Sequence, residues 1–328
     1  MRRRDFIALV GGAAAGWPLS TRAQQPPRLP LIGFMSGRSP EDSVYLVAGF
    51  REGLRESGFI EGQNVTIEFR WARGQYDLLP ALATELLNRR VALLVAVGGD
   101  PSAQAAKRAT SEVPIVFGMA ADPVAAGLVE SFGRPGGNAT GFTLVSAEME
   151  PKRLGLLHEL LPHVPLIGAL VNPQYPPAAR QVQELEAAAR KVGKRLLVAR
   201  ASNDSELSSA FGALLEQRVG ALLVATDPYF DTRRDLIIAW ARQHRLPAMY
   251  QFREFAVAGG LISYGPDIAE MYRHGGIYAG RILKGTKPAD LPVLQPTKFQ
   301  FVINAKTAKA LGLDISPMLL TGASEVLE

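Results

Sequence analysis

The chain has 328 residues, more than one hydrophobic core ordinarily serves, so two domains are the starting expectation. Hydrophobic residues make 47% and charged residues 20%, enough apolar surface to fold and too much charge for an integral membrane protein or a disordered chain. Cysteine is absent, which excludes disulfides, thiolate metal sites, thiol catalysis and a lipid-anchored N-terminal cysteine.

Residues 1–23 read as an export signal. Arg2-Arg3-Arg4-Asp5-Phe6 precedes an apolar, small-residue run over 7–17, and Thr21-Arg22-Ala23 supplies a cleavage site before Gln24. The Arg3-Arg4-Asp5-Phe6 string is of the twin-arginine type. An uncleaved membrane anchor is the alternative, but the run is about half of the roughly 20 residues a spanning helix needs, and it contains Gly11, Gly12 and Gly16. Cleavage after Ala23 removes four arginines and one aspartate and takes the formal net charge from +5 to +2. What remains has no block of like charges, so neither a nucleic-acid arm nor a basic membrane tract is indicated. The expected location is the periplasm.

The mature part repeats itself. Pro30-Leu31-Ile32-Gly33 recurs as Pro165-Leu166-Ile167-Gly168, Leu93-Leu94-Val95-Ala96 as Leu222-Leu223-Val224-Ala225, and Pro114-Ile115-Val116-Phe117 as Pro247-Ala248-Met249-Tyr250. A helix ending at Gly58 has its counterpart ending at Gly193. A shared order at near-constant spacing suggests two copies of one architecture.

Each copy reads as strand, helix, strand, helix, strand. The continuous apolar runs 92–97 and 221–225 suit strands buried on both faces of a parallel sheet. Over 182–192, Val182, Leu185, Ala189 and Val192 fall three or four apart, the spacing of one helix face. After Gly259-Gly260 come a further helix, Ile268–Leu283, and a short strand at 299–303, which two domains must share. The fold class is α/β: two doubly wound parallel-sheet domains joined by a hinge, with a ligand cleft outside the carboxyl ends of the strands.

From about Leu31 to Leu319 the chain resembles the ABC-transporter substrate-binding family that includes tryptophan- and tyrosine-binding proteins. The motifs are Pro101-Ser102-Ala103-Gln104-Ala105, the run from Asp122-Pro123 to Leu128-Val129, and Gly136-Gly137-Asn138-Ala139-Thr140-Gly141. Ala258-Gly259-Gly260-Leu261-Ile262-Ser263-Tyr264-Gly265, Leu283-Lys284-Gly285-Thr286-Lys287-Pro288, Ile303-Asn304 and Leu311-Gly312-Leu313 complete the set. The resemblance implies a type I periplasmic binding fold with crossovers near 143, 265 and 291. One lobe then comprises 30–143 plus 266–291 and the other 144–265 plus 292–320. It also implies a small-molecule ligand, permease subunits of an ABC importer as partners, and hinge closure as the working motion.

Candidate ligand contacts are the polar and aromatic residues near strand ends. Gly98-Gly99-Asp100-Pro101-Ser102 opens a helix whose N-terminus suits a carboxylate, or else Asp100 or Ser102 caps that helix. Many relatives carry threonine or serine where Asp100 stands; an aspartate occupies the same N–H groups and favours an amine or a neutral ligand. Asp122-Pro123 and Asp227-Pro228 are candidates for a ligand ammonium, or ordinary turns. Tyr229 beside Asp227, and Tyr250 and Tyr264 at the ends of apolar runs, offer ring faces with a polar tip. Ser36 and Arg38, in the loop after the first strand, are further polar candidates. The glycine-rich segment 136–141 is read as a turn, lacking the lysine of a phosphate loop. Glu148 and Glu150, flanking a crossover, are expected to be solvated.

No nucleophile elbow or His-Glu-x-x-His is present, and the four histidines lack metal-ligand spacing. The expectation is a monomeric, non-enzymatic solute receptor without cofactor or metal, capturing an amino acid or aromatic compound. A ligand-sensing module for a membrane receptor and a periplasmic enzyme on the same scaffold stay as alternatives.

Overall fold

The computed structural model describes residues 29–144 and 149–328. The export segment and Glu148 lie outside the described residues. Strands β1 (Leu31–Ser36), β2 (Thr66–Trp71), β3 (Leu93–Val97), β4 (Ile115–Met119) and β5 (Ala139–Thr143) form a wholly parallel sheet in the order β2-β1-β3-β4-β5. The second sheet holds β6 (Leu166–Val171), β7 (Arg195–Arg200), β8 (Ala221–Val224), β9 (Ala248–Tyr250), β10 (Ile262–Pro266), β11 (Phe299–Asn304) and β12 (Glu325–Leu327).

Its first five strands run β7-β6-β8-β9-β10, the strand order of the first sheet again. The three strand repeats seen in the sequence fall on β1 and β6, β3 and β8, and β4 and β9. The reason is burial: β3, β4, β5 and β8 are buried at every residue, so their sequences have little freedom beyond small and branched apolar side chains. The edge strands β2 and β7 face solvent in part and carry Glu68, Arg70, Arg195 and Arg200, charges that discourage pairing with another sheet.

Two elements depart from the duplicated plan. β11 lies antiparallel to β10, and β12 pairs with β11, so the second sheet extends to Leu327, past residue 320. The last return between lobes also comes later than 291. Leu294 still pairs with β5, donating to the Gly141 carbonyl and accepting from Thr143 N–H, and β11 begins only at Phe299.

Helix Ile268–Leu283 has the bounds that the sequence suggested, and it packs on the first sheet and on helix Val44–Glu56. The two helices touch through glycine: a side chain at Gly53 would strike the Arg273 carbonyl, and one at Gly276 the Phe50 carbonyl. Gly58 and Gly193 follow helices in the left-handed region, at φ 85 and 68°. Gly136 and Gly137 also have positive φ and turn the chain into β5, where Asn138 accepts from Lys107 Nζ and donates to the Thr110 and Val113 carbonyls. No helix among the described residues is long and apolar enough to cross a membrane.

Candidate functional site

The carboxyl ends of both sheets converge on a small cavity of about 30 Å³. Its apolar wall comes from Met119, Phe142, Leu144, Phe252 and Ile268, and its polar wall from Arg38, Tyr175, Thr226, Asp231, Tyr272 and the Gly98-Gly99 backbone. That volume is room for about a water molecule, so the lobes meet closely here, while the mix of aromatic walls with a few convergent polar groups is that of small-molecule sites. A larger groove on the second lobe, lined in part by Arg242, Arg245, Ala248, Leu261 and Asn304, opens at the amino ends of its parallel strands. In a doubly wound sheet that is the end away from ligand chemistry.

Arg38 organises one side. Ser36 Oγ accepts the Arg38 N–H at 3.1 Å and fixes the loop after β1. The guanidinium donates from Nε to Asp42 Oδ1 at 3.1 Å and, across the cleft, from Nη1 to Asp231 Oδ2 at 2.5 Å. Asp231 Oδ1 accepts from Gln251 Nε2 at 2.6 Å. Burial disfavours the Arg38 charge, but Asp231 and Asp42 outweigh it and hold its pKa above the ordinary value. Burial pushes Asp231 up to about 6, with Arg38 pulling the other way.

Two reciprocal tyrosine–aspartate contacts close the lobes on each other. Tyr76, of the first lobe, donates to Asp227 Oδ2 of the second at 2.7 Å. Tyr175, of the second lobe, approaches Asp100 of the first, and the two tyrosine rings lie 6.5 Å apart. Asp227 caps helix Pro228–Thr232, accepting from Tyr229 N–H, Phe230 N–H and Asn172 Nδ2. It is fully enclosed, and desolvation raises it to about 7 against the pull of Tyr76 and Asn172.

Asp100 departs from both readings of the sequence. Helix Asp100–Ala109 is capped by Gly99 with no side-chain bond, at φ 112°, so neither Asp100 nor Ser102 caps it. Instead Asp100 Oδ1 accepts Ala120 N–H at 3.0 Å and Ala121 N–H at 2.9 Å, tying the helix start to the end of β4. Its Oδ2 has no partner of good hydrogen-bond geometry, although the Tyr175 phenol approaches it. Burial raises the pKa of Asp100.

The remaining sequence candidates lie elsewhere. Ser102 is buried inside the first lobe beside Gly37. Asp122 is exposed, and its Oδ1 holds Val124 N–H and Ala125 N–H in a turn. Tyr229 packs over Gly74 at the rim, its hydroxyl on Asp204 Oδ1 and Arg233 above its ring. Tyr250 stacks on Phe255, against Gly260, facing the far groove. Tyr264 stacks on Phe299 at the antiparallel edge. Of the nine, only Arg38 lines the cavity; Ser36, Asp100 and Asp227 support its wall.

Tyr175, one of the aromatic residues that cluster near strand ends in the sequence, lines the cavity, whereas residues 142, 144, 226, 231, 252, 268 and 272 line it without having been singled out as ligand contacts from sequence. A partial signal existed. Asp231 stands one helical turn after Asp227, and Tyr272 one turn after Ile268, spacings that put each pair on one helix face. Glu150 corrects the expectation of a solvated acid: it is 0% exposed and pairs with Arg153, itself 1% exposed. Arg153 bonds Thr226 Oγ1 and the Tyr264 and Gln251 carbonyls, and Glu150 accepts Thr226 N–H. The pair thus joins the ends of β8, β9 and β10 beneath the cavity, a constraint on the floor that is invisible in local sequence.

Two lobes of like topology that grip one aromatic-walled cavity between their strand ends define a cleft-closing small-molecule binding protein. Residues 36–327 match the model of the ABC transporter substrate binding protein family, and the chain belongs to that family. A "Tyrosine-binding protein" of Clostridioides difficile (strain R20291) is 29% identical over 266 residues, 81% of this chain and 76% of that protein. A Streptococcus pneumoniae ABC domain solved in complex with L-Trp is 27% identical and superposes with a TM-score of 0.82, covering 91% of this chain and 100% of that one. A ligand-free, open substrate binding protein with adhesive properties from Clostridium difficile is 26% identical, covering 91% of this chain and 99% of its own, but superposes with a TM-score of only 0.63. With Arg38–Asp231 and Tyr76–Asp227 spanning the cleft, this chain stands in the closed form.

Proposed function

We propose that the chain is the solute-capturing component of an ABC importer, acting in the periplasm after cleavage behind Ala23. It works as a monomer that closes on one small ring-bearing organic molecule, an aromatic amino acid or related aromatic compound, and presents the closed face to permease subunits. The observation that carries this reading is the inter-lobe cavity, walled by Phe142, Phe252, Tyr175 and Tyr272 and reached by strand ends of both sheets. Ring faces of this kind take up a flat apolar body, while Arg38, Asp231 and Thr226 orient its polar end. Family membership and the relatives' tyrosine and L-Trp support the solute class.

The test is a thermal-shift screen of residues 24–328 against amino acids, aromatic acids and amines, purines and sugars. A ligand at about 100 times its Kd stabilises by about 2.7 kcal/mol, which moves Tm by a few degrees. An aromatic hit recovered chemically unchanged supports the receptor reading. A hit consumed on incubation overturns it in favour of an enzyme, and a sugar or purine hit overturns the solute class.

A further inference from the structure

The geometry points to a solute whose polar head is an amine without a carboxylate, an arylalkylamine rather than an amino acid. The inference rests on the receptor reading above and names the chemistry of that same cleft.

Charge is the first argument. Among the described residues that line the cavity, Arg38 is the one basic side chain, and its guanidinium is already bonded to Asp42 and Asp231. In or directly behind the wall stand five carboxylates, Asp42, Asp100, Glu150, Asp227 and Asp231, against two guanidinium groups, Arg38 and Arg153, the latter paired with Glu150, and none is more than 9% exposed. A ligand carboxylate entering this cleft would be a third acid on a guanidinium that has two, with Asp100 and Asp227 close by. A ligand ammonium would share Asp231, whose two oxygens already accept from Arg38 and Gln251, but it meets an excess of carboxylates around it.

The hydrogen-bond inventory agrees. Asp100 Oδ1 accepts both the Ala120 and the Ala121 N–H at the end of β4, Ala120 being a lining residue, so these donors are taken by an acid of the protein itself. Among the described residues, Gln251 donates through Nε2 to Asp231 and its buried Oε1 has no hydrogen-bond partner, and Asp100 Oδ2 has none of good geometry, although Tyr175 approaches the Asp100 carboxylate. A buried acceptor calls for a donor. What the site lacks is N–H, which an ammonium supplies and a carboxylate does not.

The test is titration calorimetry of residues 24–328 with molecules that share a ring and differ in head: tyramine, L-tyrosine and 3-(4-hydroxyphenyl)propionate, with tryptamine and L-tryptophan as a second set. Each amine is expected to bind about tenfold or more tightly than its amino acid, and the acid more weakly still. An amino acid or acid binding as tightly as its amine overturns this inference and leaves the receptor reading standing. If none of the five binds, the aromatic-solute reading fails and this inference falls with it. The variant Asp100→Ser frees the two N–H groups, and its L-tyrosine affinity is expected to rise about tenfold relative to tyramine. The isosteric Asp231→Asn is expected to erase the preference for the amine. An unchanged amine-to-amino-acid ratio in both variants, each folded by circular dichroism, refutes the assignment.

Discussion

Phenylalanine at position 76 isolates one bond that exists only when the lobes are closed. Tyr76 lies in the first lobe and its hydroxyl is, among the described residues, the one partner of Asp227 Oδ2 in the second, at 2.7 Å, whereas Oδ1 has three other donors. The Tyr229 N–H that also reaches Tyr76 Oη keeps its bond to Asp227 Oδ1, so the loss concentrates on Oδ2. A hydrogen bond to a buried charged group is worth about 1.5–3 kcal/mol, and about 1.4 kcal/mol is tenfold in a binding constant. Y76F is therefore expected to weaken the tightest aromatic ligand roughly ten- to a hundredfold at pH 8, where Asp227 is ionised. At pH 5.5 the acid is protonated in the closed form and depends less on a donor, so the loss shrinks to about tenfold or below. Calorimetry at both pH values gives the two numbers, and the denaturation midpoint of the unliganded protein serves as the control. A loss under about threefold at pH 8, or an equal loss of unliganded stability, refutes the view that this bond acts on closure.

Three further outcomes follow from burial and geometry. The affinity of a ring ligand that carries no ammonium is expected to fall as pH rises from about 4 to about 7: Asp227 and Asp231 are raised to about 7 and about 6 in the closed form, so closure takes up protons there, whereas an amine paired with Asp231 keeps that acid ionised and loses its share of the slope. The closure energy is full below the ordinary carboxylate pKa, lost through that window and flat above it, and D227N should flatten much of the slope in calorimetric Kd. R153M leaves Glu150 enclosed without its cation and is expected to cost about 3–5 kcal/mol by chemical denaturation; a loss under about 1 kcal/mol would show the pair to be dispensable. G276A drives a methyl into the Phe50 carbonyl and should destabilise by about 1–3 kcal/mol, whereas G212A, in open space on helix Asp204–Glu216, should stabilise by about 0.4–1 kcal/mol.

The fold was legible because parallel central strands constrain their own sequences. β3 and β8 are apolar throughout, and a duplicated order of such runs leaves few other topologies. The bounds of helix Ile268–Leu283 were legible for a similar reason, since one face must meet helix Val44–Glu56 at glycine contact. The antiparallel β11 was not, because five residues of mixed pattern do not encode direction. At the site, sequence located the loops, and most of the side chains it named stand away from the cavity. Asp122 and Asp227 both precede proline after a strand, yet one is spent on an exposed turn and the other is enclosed by the opposite lobe. That difference depends on what the second lobe brings, which no local pattern holds.

The same dependence explains why the two halves differ where they meet. Each follows its third strand by the same interval with Asp-Pro opening a helix, Asp100 in one half and Asp227 in the other. Asp227 caps its own helix and takes the Tyr76 hydroxyl across the cleft, while Asp100 turns to the backbone at Ala120 and Ala121 and meets Tyr175. Both acids are enclosed, and desolvation raises the pKa of each. Burying a carboxylate is tolerated where donors meet it, and here the closing lobe brings a phenol toward each. The closed state is thus held by contacts in which each lobe supplies an acid and the other a tyrosine. Opening exposes both acids to water, which stabilises their charge directly, so the phenols need supply only the remainder.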